Sequence, residues 1–391
     1  MKKKLFRILL ICLLVIGLII LLMPAYLRTA LIYQTPDIDD YKIFANRTID
    51  ARLPQPWEND LLYNRTSISQ EYMDSFMKFD PVAFLIIRNG KMLMEEYYDG
   101  YGPESLSGSF SMAKSIVALL VGAAIDDGYI QHIHQPVSDF LPEFEIANHE
   151  VSIYQLLTMT SGLDWDERYA NAFSITTKAY YGKNLKRLLQ PLGILSPPGE
   201  VFEYTSGSTQ LLAFLLEAAT GKSLATYTSE KIWQKIGAEN QALWSLDREN
   251  GIEKAYCCFN SNARDFARLG QLVLNHGAWE GENIISEGFI REAITPIHNV
   301  KDSKDNWVDY YGYQIWIVNH KGLQIPYFRG ILGQYIFVIP QYDAVVVRLG
   351  HKRSDFRINN IPSDVYLYVD MALHILDNNT LESTPSVNLV H

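Results

Sequence analysis

The chain has 391 residues, 48% hydrophobic and 20% charged, which suits one large folded domain or two ordinary ones and excludes a disordered chain. A formal net charge of −10 argues against a nucleic-acid footprint, which needs a basic face. Of three cysteines, Cys257 and Cys258 are adjacent and Cys12 lies in an apolar run, so no disulfide framework is readable and the adjacent two are expected as ordinary buried side chains, not a redox pair.

The N-terminus carries Lys2, Lys3, Lys4 and Arg7 ahead of an apolar run over 8–23. Positive charge before the run places that end in the cytoplasm. The run is longer than the roughly 7–15 residues of a signal-peptide core and close to the short limit of a spanning helix. Pro24-Ala25-Tyr26-Leu27-Arg28 offers no small-x-small cleavage site, and Cys12 lacks the small neighbours of a lipoprotein site. Residues 1–27 therefore read as a cytoplasmic stub and signal anchor, with a cleaved signal peptide as the alternative. Either way the body is expected to be exported, to the periplasm or the extracytoplasmic face of the inner membrane.

Residues 28–80 are polar and aromatic, broken by Pro36, Pro54 and Pro56, and read as a linker and wrapping segment. The runs 82–88 and 91–98 flank Asn89-Gly90, the strongest short signal for a hairpin. Ser111–Asp126 is small and aliphatic nearly all round and predicts a buried helix. From 136 to about 296 the pattern is mainly helical, as in Ser208–Thr220 and Ala263–His276, with Gly221 and Gly277 as stops. Strand patterns return at 312–318, 323–328, 334–339 and 344–349, and an amphipathic helix over 365–375 follows Pro362. The order predicts an α/β domain over 81–378, its sheet built from both chain ends, with an all-α insertion at about 136–300 and a tail over 379–391. Ligands in such folds favour the cleft between the parts.

Two serine–lysine pairs share a spacing of three, Ser75 with Lys78 and Ser111 with Lys114. On a helix that spacing puts hydroxyl and amine on one face. A lysine can then take the serine proton if burial lowers its pKa. About one or two chance matches are expected in a chain this long, so context decides. Lys78 is followed by Phe79-Asp80-Pro81, which ends any helix. Ser111 follows a loop with Gly102, Pro103 and Gly108 and opens the apolar helix, where its N–H groups favour an oxyanion. The plainer reading is that Ser111 caps the helix and Lys114 snorkels to solvent. Tyr204, in the turn 197–208, stands just before a candidate N-cap at Ser206 or Ser208 and could relay protons, although a lone tyrosine among 24 is usually packing. His132-x-His134 has metal-binding spacing but no third ligand, and reads as surface. Asp164-Trp165-Asp166-Glu167 reads as a loop near the cleft rim, with Trp165 as a substrate contact.

Together these segments resemble the serine β-lactamase and penicillin-binding-protein superfamily, closest to the class C and esterase-like branch of 6-aminohexanoate-dimer hydrolases and family VIII carboxylesterases. The stretches that carry the likeness are 111–130, 137–144, 151–167, 197–221, 262–285 and 310–318, within about 81–377. The resemblance implies a β-lactamase-like fold with an antiparallel sheet flanked by helices. It makes Ser111 the acylated nucleophile, Lys114 its base and Tyr204 the partner in proton transfer. It places Ser206 where the family has asparagine and matches the His/Lys-x-Gly motif to Ile331-Leu332-Gly333, without its cation. Gly333 and Ser206 are then substrate-binding, and the backbone N–H groups of Ser111 and Gln334 form the oxyanion hole. Arg329 could substitute for the missing cation, although an arginine beside a strand is more often a solvated surface residue. No counterpart of the class A glutamate base is evident. No cofactor or metal is implied. The expected activity is an exported serine hydrolase for a small ester, amide or short peptide. The alternatives are a D-Ala-D-Ala peptidase or β-lactamase, and a non-catalytic penicillin-binding or sensory module.

Overall fold

The computed structural model describes residues 2–382; Met1 and the 383–391 part of the expected tail lie outside the described residues. Its main sheet has six strands in the order Trp316–His320, Leu323–Gly330, Gln334–Ile339, Ala344–Gly350, Pro81–Arg88, Lys91–Tyr97. Every neighbouring pair is antiparallel. The sheet thus joins the two ends of the domain, as the strand patterns predict. Asn89 and Gly90 both have positive φ, the geometry a two-residue hairpin turn requires, and Arg88 pairs with Lys91 across them.

Side chains alternate between two cores because successive residues of a strand face opposite ways. Leu85, Ile87, Ile336, Val338, Val345 and Val347 face the helices Met112–Asp126 and Ala263–Leu274. Phe84, Ile86, Phe337, Ile339 and Val346 face the C-terminal helix Ser363–Glu382 through Val365, Tyr368, Val369 and Ala372. Burial on both faces explains why these strands read as continuous apolar runs.

The inserted region is mainly helical, but not wholly. Ala242–Ser245 and Phe259–Ser261 join Asn46–Ile49 and Ser107–Gly108 in a second, four-stranded sheet. The 28–80 segment therefore does more than wrap the surface. Ile38 and Ile49 are fully buried, and the Ile38 carbonyl accepts the Gly108 N–H at 2.7 Å. Cys257 and Cys258 correct the expectation of two separate side chains, since they are joined to each other in a disulfide. The Lys2–Leu22 helix has no buried residue and is long and apolar enough to cross a membrane.

Candidate active site

The second sheet delivers Ser111. The Ser109 N–H donates to the Phe259 carbonyl at 2.7 Å, and Phe110 adopts a left-handed φ of 43°. That conformation costs a non-glycine residue roughly 1–3 kcal/mol and persists only where its surroundings enforce it. Ser111 then stands at the N-cap of Met112–Asp126, a helix with thirteen of its fifteen residues buried.

Lys114 is 1% exposed and lies one turn below Ser111. Its Nζ donates to Ser111 Oγ at 3.2 Å, Ser206 Oγ at 3.0 Å and the Tyr256 carbonyl at 2.9 Å. Three acceptors match the three donors of an ammonium. In the neutral amine, two N–H groups can stay on Ser206 and Tyr256 while the lone pair faces Ser111 Oγ. The arrangement therefore accommodates both protonation states, and the snorkelling reading of Lys114 does not hold. Lys78, by contrast, is exposed beyond the seven-residue helix Gln70–Phe76 that carries Ser75.

Ser206 opens the helix Ser206–Thr220. Its N–H and hydroxyl both donate to Glu167, at 2.7 and 2.6 Å, and the Tyr169 hydroxyl donates to the same carboxylate at 2.5 Å. Glu167 is thus one hydroxyl away from Lys114, so a carboxylate does stand in the site. The acidic run 164–167 held the signal, but only the fold shows which of its carboxylates turns inward. The Tyr204 ring centroid lies 5.0 Å from Lys114 Nζ, so the two meet through the ring face, while the hydrogen bonds of Nζ go to other groups.

The cleft has a volume of about 280 Å³, and Ser111, Glu167, Tyr204, Arg329, Gly330 and Ile331 are among its lining residues. Three expected substrate or oxyanion positions lie elsewhere. Trp165 is buried beneath Gly207, and its indole N–H donates to Thr176 Oγ1 at 3.1 Å. Gly333 faces the buried Arg348; a Cβ on it would stand 1.9 Å from Arg348 Nη1. Gln334 is fully buried, with its side-chain amide on the Gly350 carbonyl at 2.6 Å. The turn Ile331–Gly333 reverses the chain, so Gly330 pairs with Gln334, and the end of the Leu323–Gly330 strand packs on the backbone just before Ser111. A Cβ on Gly330 would lie 2.3 Å from the Ser109 carbonyl oxygen. Counted back from Gly330, the His/Lys-x-Gly spacing puts the fully buried Phe328 at the cation position and Arg329 in the middle.

The beta-lactamase family model matches residues 70–362. The chain is 28% identical over 283 residues to the 6-aminohexanoate-dimer hydrolase of Paenarthrobacter ureafaciens, across 68% of this chain and 71% of that one. Protein flp of Staphylococcus aureus (strain COL) is 25% identical over 190 residues, which span 44% of this chain and 37% of that protein. Among solved structures, a Bacillus anthracis protein assigned as a 6-aminohexanoate-dimer hydrolase superposes with a TM-score of 0.69 at 20% identity, over 89% and 94% of the two chains. A family VIII carboxylesterase gives 0.62 at 16% identity, over 82% of this chain and 99% of the other. These two share the fold.

Proposed function

The chain belongs to the beta-lactamase family and is a hydrolase of that fold, and from that premise we propose that it cleaves a small ester or amide through an acyl-enzyme on Ser111. The observation that carries this reading is the buried Lys114, hydrogen-bonded to Ser111, Ser206 and the Tyr256 carbonyl at once.

Neutral Lys114 takes the proton from Ser111 Oγ as that oxygen attacks the substrate carbonyl carbon. The resulting oxyanion is met by two backbone N–H groups, those of Ser111 and of Ile331 at the end of the Leu323–Gly330 strand. As the tetrahedral intermediate collapses, Tyr204 donates a proton to the departing oxygen or nitrogen and the acyl group stays on Ser111. Tyr204 recovers its proton from Lys114. Water then attacks the acyl carbon, giving its proton to the Tyr204–Lys114 pair, and Ser111 leaves reprotonated. Ser206 holds Lys114 in the place of the family asparagine. Its shorter side chain is supported by Glu167, which accepts both its N–H and its hydroxyl. No metal or cofactor has a part in these steps. We place the protein at the extracytoplasmic face of a membrane, anchored by 8–23; the cationic start and fully exposed apolar helix support that placement.

A fluorophosphonate probe and p-nitrophenyl butyrate test the assignment. Wild type and Ser75→Ala are expected to be labelled and to turn over ester, whereas Ser111→Ala does neither. Lys114→Met should lower kcat by about 10²–10⁴. Labelling that persists in Ser111→Ala would sink the reading.

A further inference from the structure

Cys257 and Cys258 stand between two supports of the active site. The carbonyl of Tyr256, the residue before them, accepts from Lys114 Nζ at 2.9 Å. The carbonyl of Phe259, the residue after them, accepts the Ser109 N–H at 2.7 Å and so holds the loop that presents Ser111. Lys114 and the nucleophile loop are therefore steadied by one short segment, and the disulfide lies in its middle. Both cysteines are buried, and neither is among the described residues that line the cleft.

A disulfide stabilises a fold chiefly by closing a loop in the unfolded chain, and the gain grows with loop length. Between neighbouring residues that loop is as short as a chain allows, so the bond adds little to global stability and its effect is local. The backbone shows the local demand. Cys258 has a left-handed φ of 66°, a conformation that a non-glycine residue keeps only where its surroundings enforce it. A ring closed through both side chains restricts rotation about the bonds that flank the shared peptide. The second sheet fixes that ring in place: the Trp244 indole N–H donates to the Cys257 carbonyl at 3.1 Å, and the Ser245 N–H to the Cys258 carbonyl at 2.9 Å. The carbonyl just before the ring then meets Lys114.

We propose that the Cys257–Cys258 disulfide is a positioning element for hydrolysis at Ser111, and that the oxidised pair is the active form. The proposal rests on the reading of Ser111 as nucleophile and Lys114 as base. Reduction by a dithiol breaks the S–S bond: the reductant gives up two electrons and two protons and becomes a disulfide, and the cysteines end as two thiols. Released from the ring, Cys258 leaves its left-handed conformation and the segment from Tyr256 to Phe259 turns. Lys114 then loses an acceptor, and the support under Ser109 loosens. A misplacement of about 1 Å can lower a rate roughly 10²-fold, so the loss falls on kcat. KM stays, because the substrate walls lie elsewhere. The extracytoplasmic placement proposed above fits, since such compartments keep disulfides closed.

The test uses the full chain in detergent with Cys12→Ser, so that reduction yields thiols only at 257 and 258. The chain is reduced with dithiothreitol, its thiols are counted by alkylation and mass, and a second portion is reoxidised. Full reduction is expected to lower kcat for p-nitrophenyl butyrate about tenfold or more with KM within about twofold, and reoxidation to restore it. Cys257→Ala/Cys258→Ala should match the reduced chain, and carries the comparison where the buried bond resists the dithiol. Cys257→Ala/Cys258→Gly, in which glycine accepts the left-handed φ, should regain about threefold or more. Fluorophosphonate labelling separates positioning from folding: the rate of labelling should fall while the final fraction labelled stays that of the oxidised chain. A lower final fraction with an unchanged rate, or a reduced chain as fast as the oxidised one, overturns the proposal and leaves the Ser111 reading standing. An oxidised chain that is neither labelled nor active defeats the Ser111 reading, and this proposal with it.

Discussion

Lys114 and Lys254 are each 1% exposed, yet they meet burial in different ways. Lys114 has three oxygen acceptors, two of them serine hydroxyls. Lys254 donates to the Tyr180 carbonyl and otherwise faces aromatic rings, with Nζ 3.6 Å from the Phe44 centroid. Desolvation pulls the Lys254 pKa down to about 7, against the opposite pull of Asp247 and Asp40. Its folded pKa is therefore below the value of about 10.4 in an unfolded chain. Between those values the unfolded chain holds the extra proton, so stability rises with pH from about 7 towards 10. Lys254→Met should be more stable than wild type at pH 7, with an advantage that shrinks by about 2 kcal/mol at pH 9. Urea midpoints at the two pH values measure this, and an offset independent of pH would refute it.

At the scale of elements, the proposed mechanism relies on the Leu323–Gly330 strand end to aim an oxyanion donor. Gly330→Ala would put a methyl carbon 2.3 Å from the Ser109 carbonyl. Because that neighbour is backbone, the strand end must move, at about 1–3 kcal/mol. Short-ester kcat/KM should fall at least tenfold while the circular-dichroism spectrum stays native; wild-type kinetics would show that this strand end does not aim the oxyanion donors. The long elements were legible in the sequence because each declares itself locally: Asn89-Gly90 marks its own turn, and the helix after Ser111 is apolar all round. The second sheet was not, since strands of two to four residues are too short to show a period. Ser111 and Lys114 lie on one helix, so their spacing could predict their contact. Gly330 and Gly333 are three residues apart around a reversal, and Glu167 belongs to a loop. In both cases long-range packing decides which residue enters the site, and the local pattern does not single it out.

For the molecule as a whole, the exposed Lys2–Leu22 helix should govern fractionation and nothing in the cleft. The full chain is expected to sediment with membranes, to resist extraction by 1 M salt and to dissolve in detergent. A chain lacking 2–22 should be soluble with unchanged ester kinetics; a full chain that is soluble without detergent would remove the anchor. The geometry beyond that helix has a consequence for how substrate is met. Only Met23 and Pro24 separate it from the next helix, Ala25–Tyr33, whose Tyr26 and Ala30 pack against the main core. Two such residues span at most roughly 7 Å. The tether is thus almost without slack, and an anchored enzyme of this build cannot sample the surrounding volume on a flexible stalk. It would patrol a thin layer at the bilayer surface, meeting substrates that are held there or that drift into that layer.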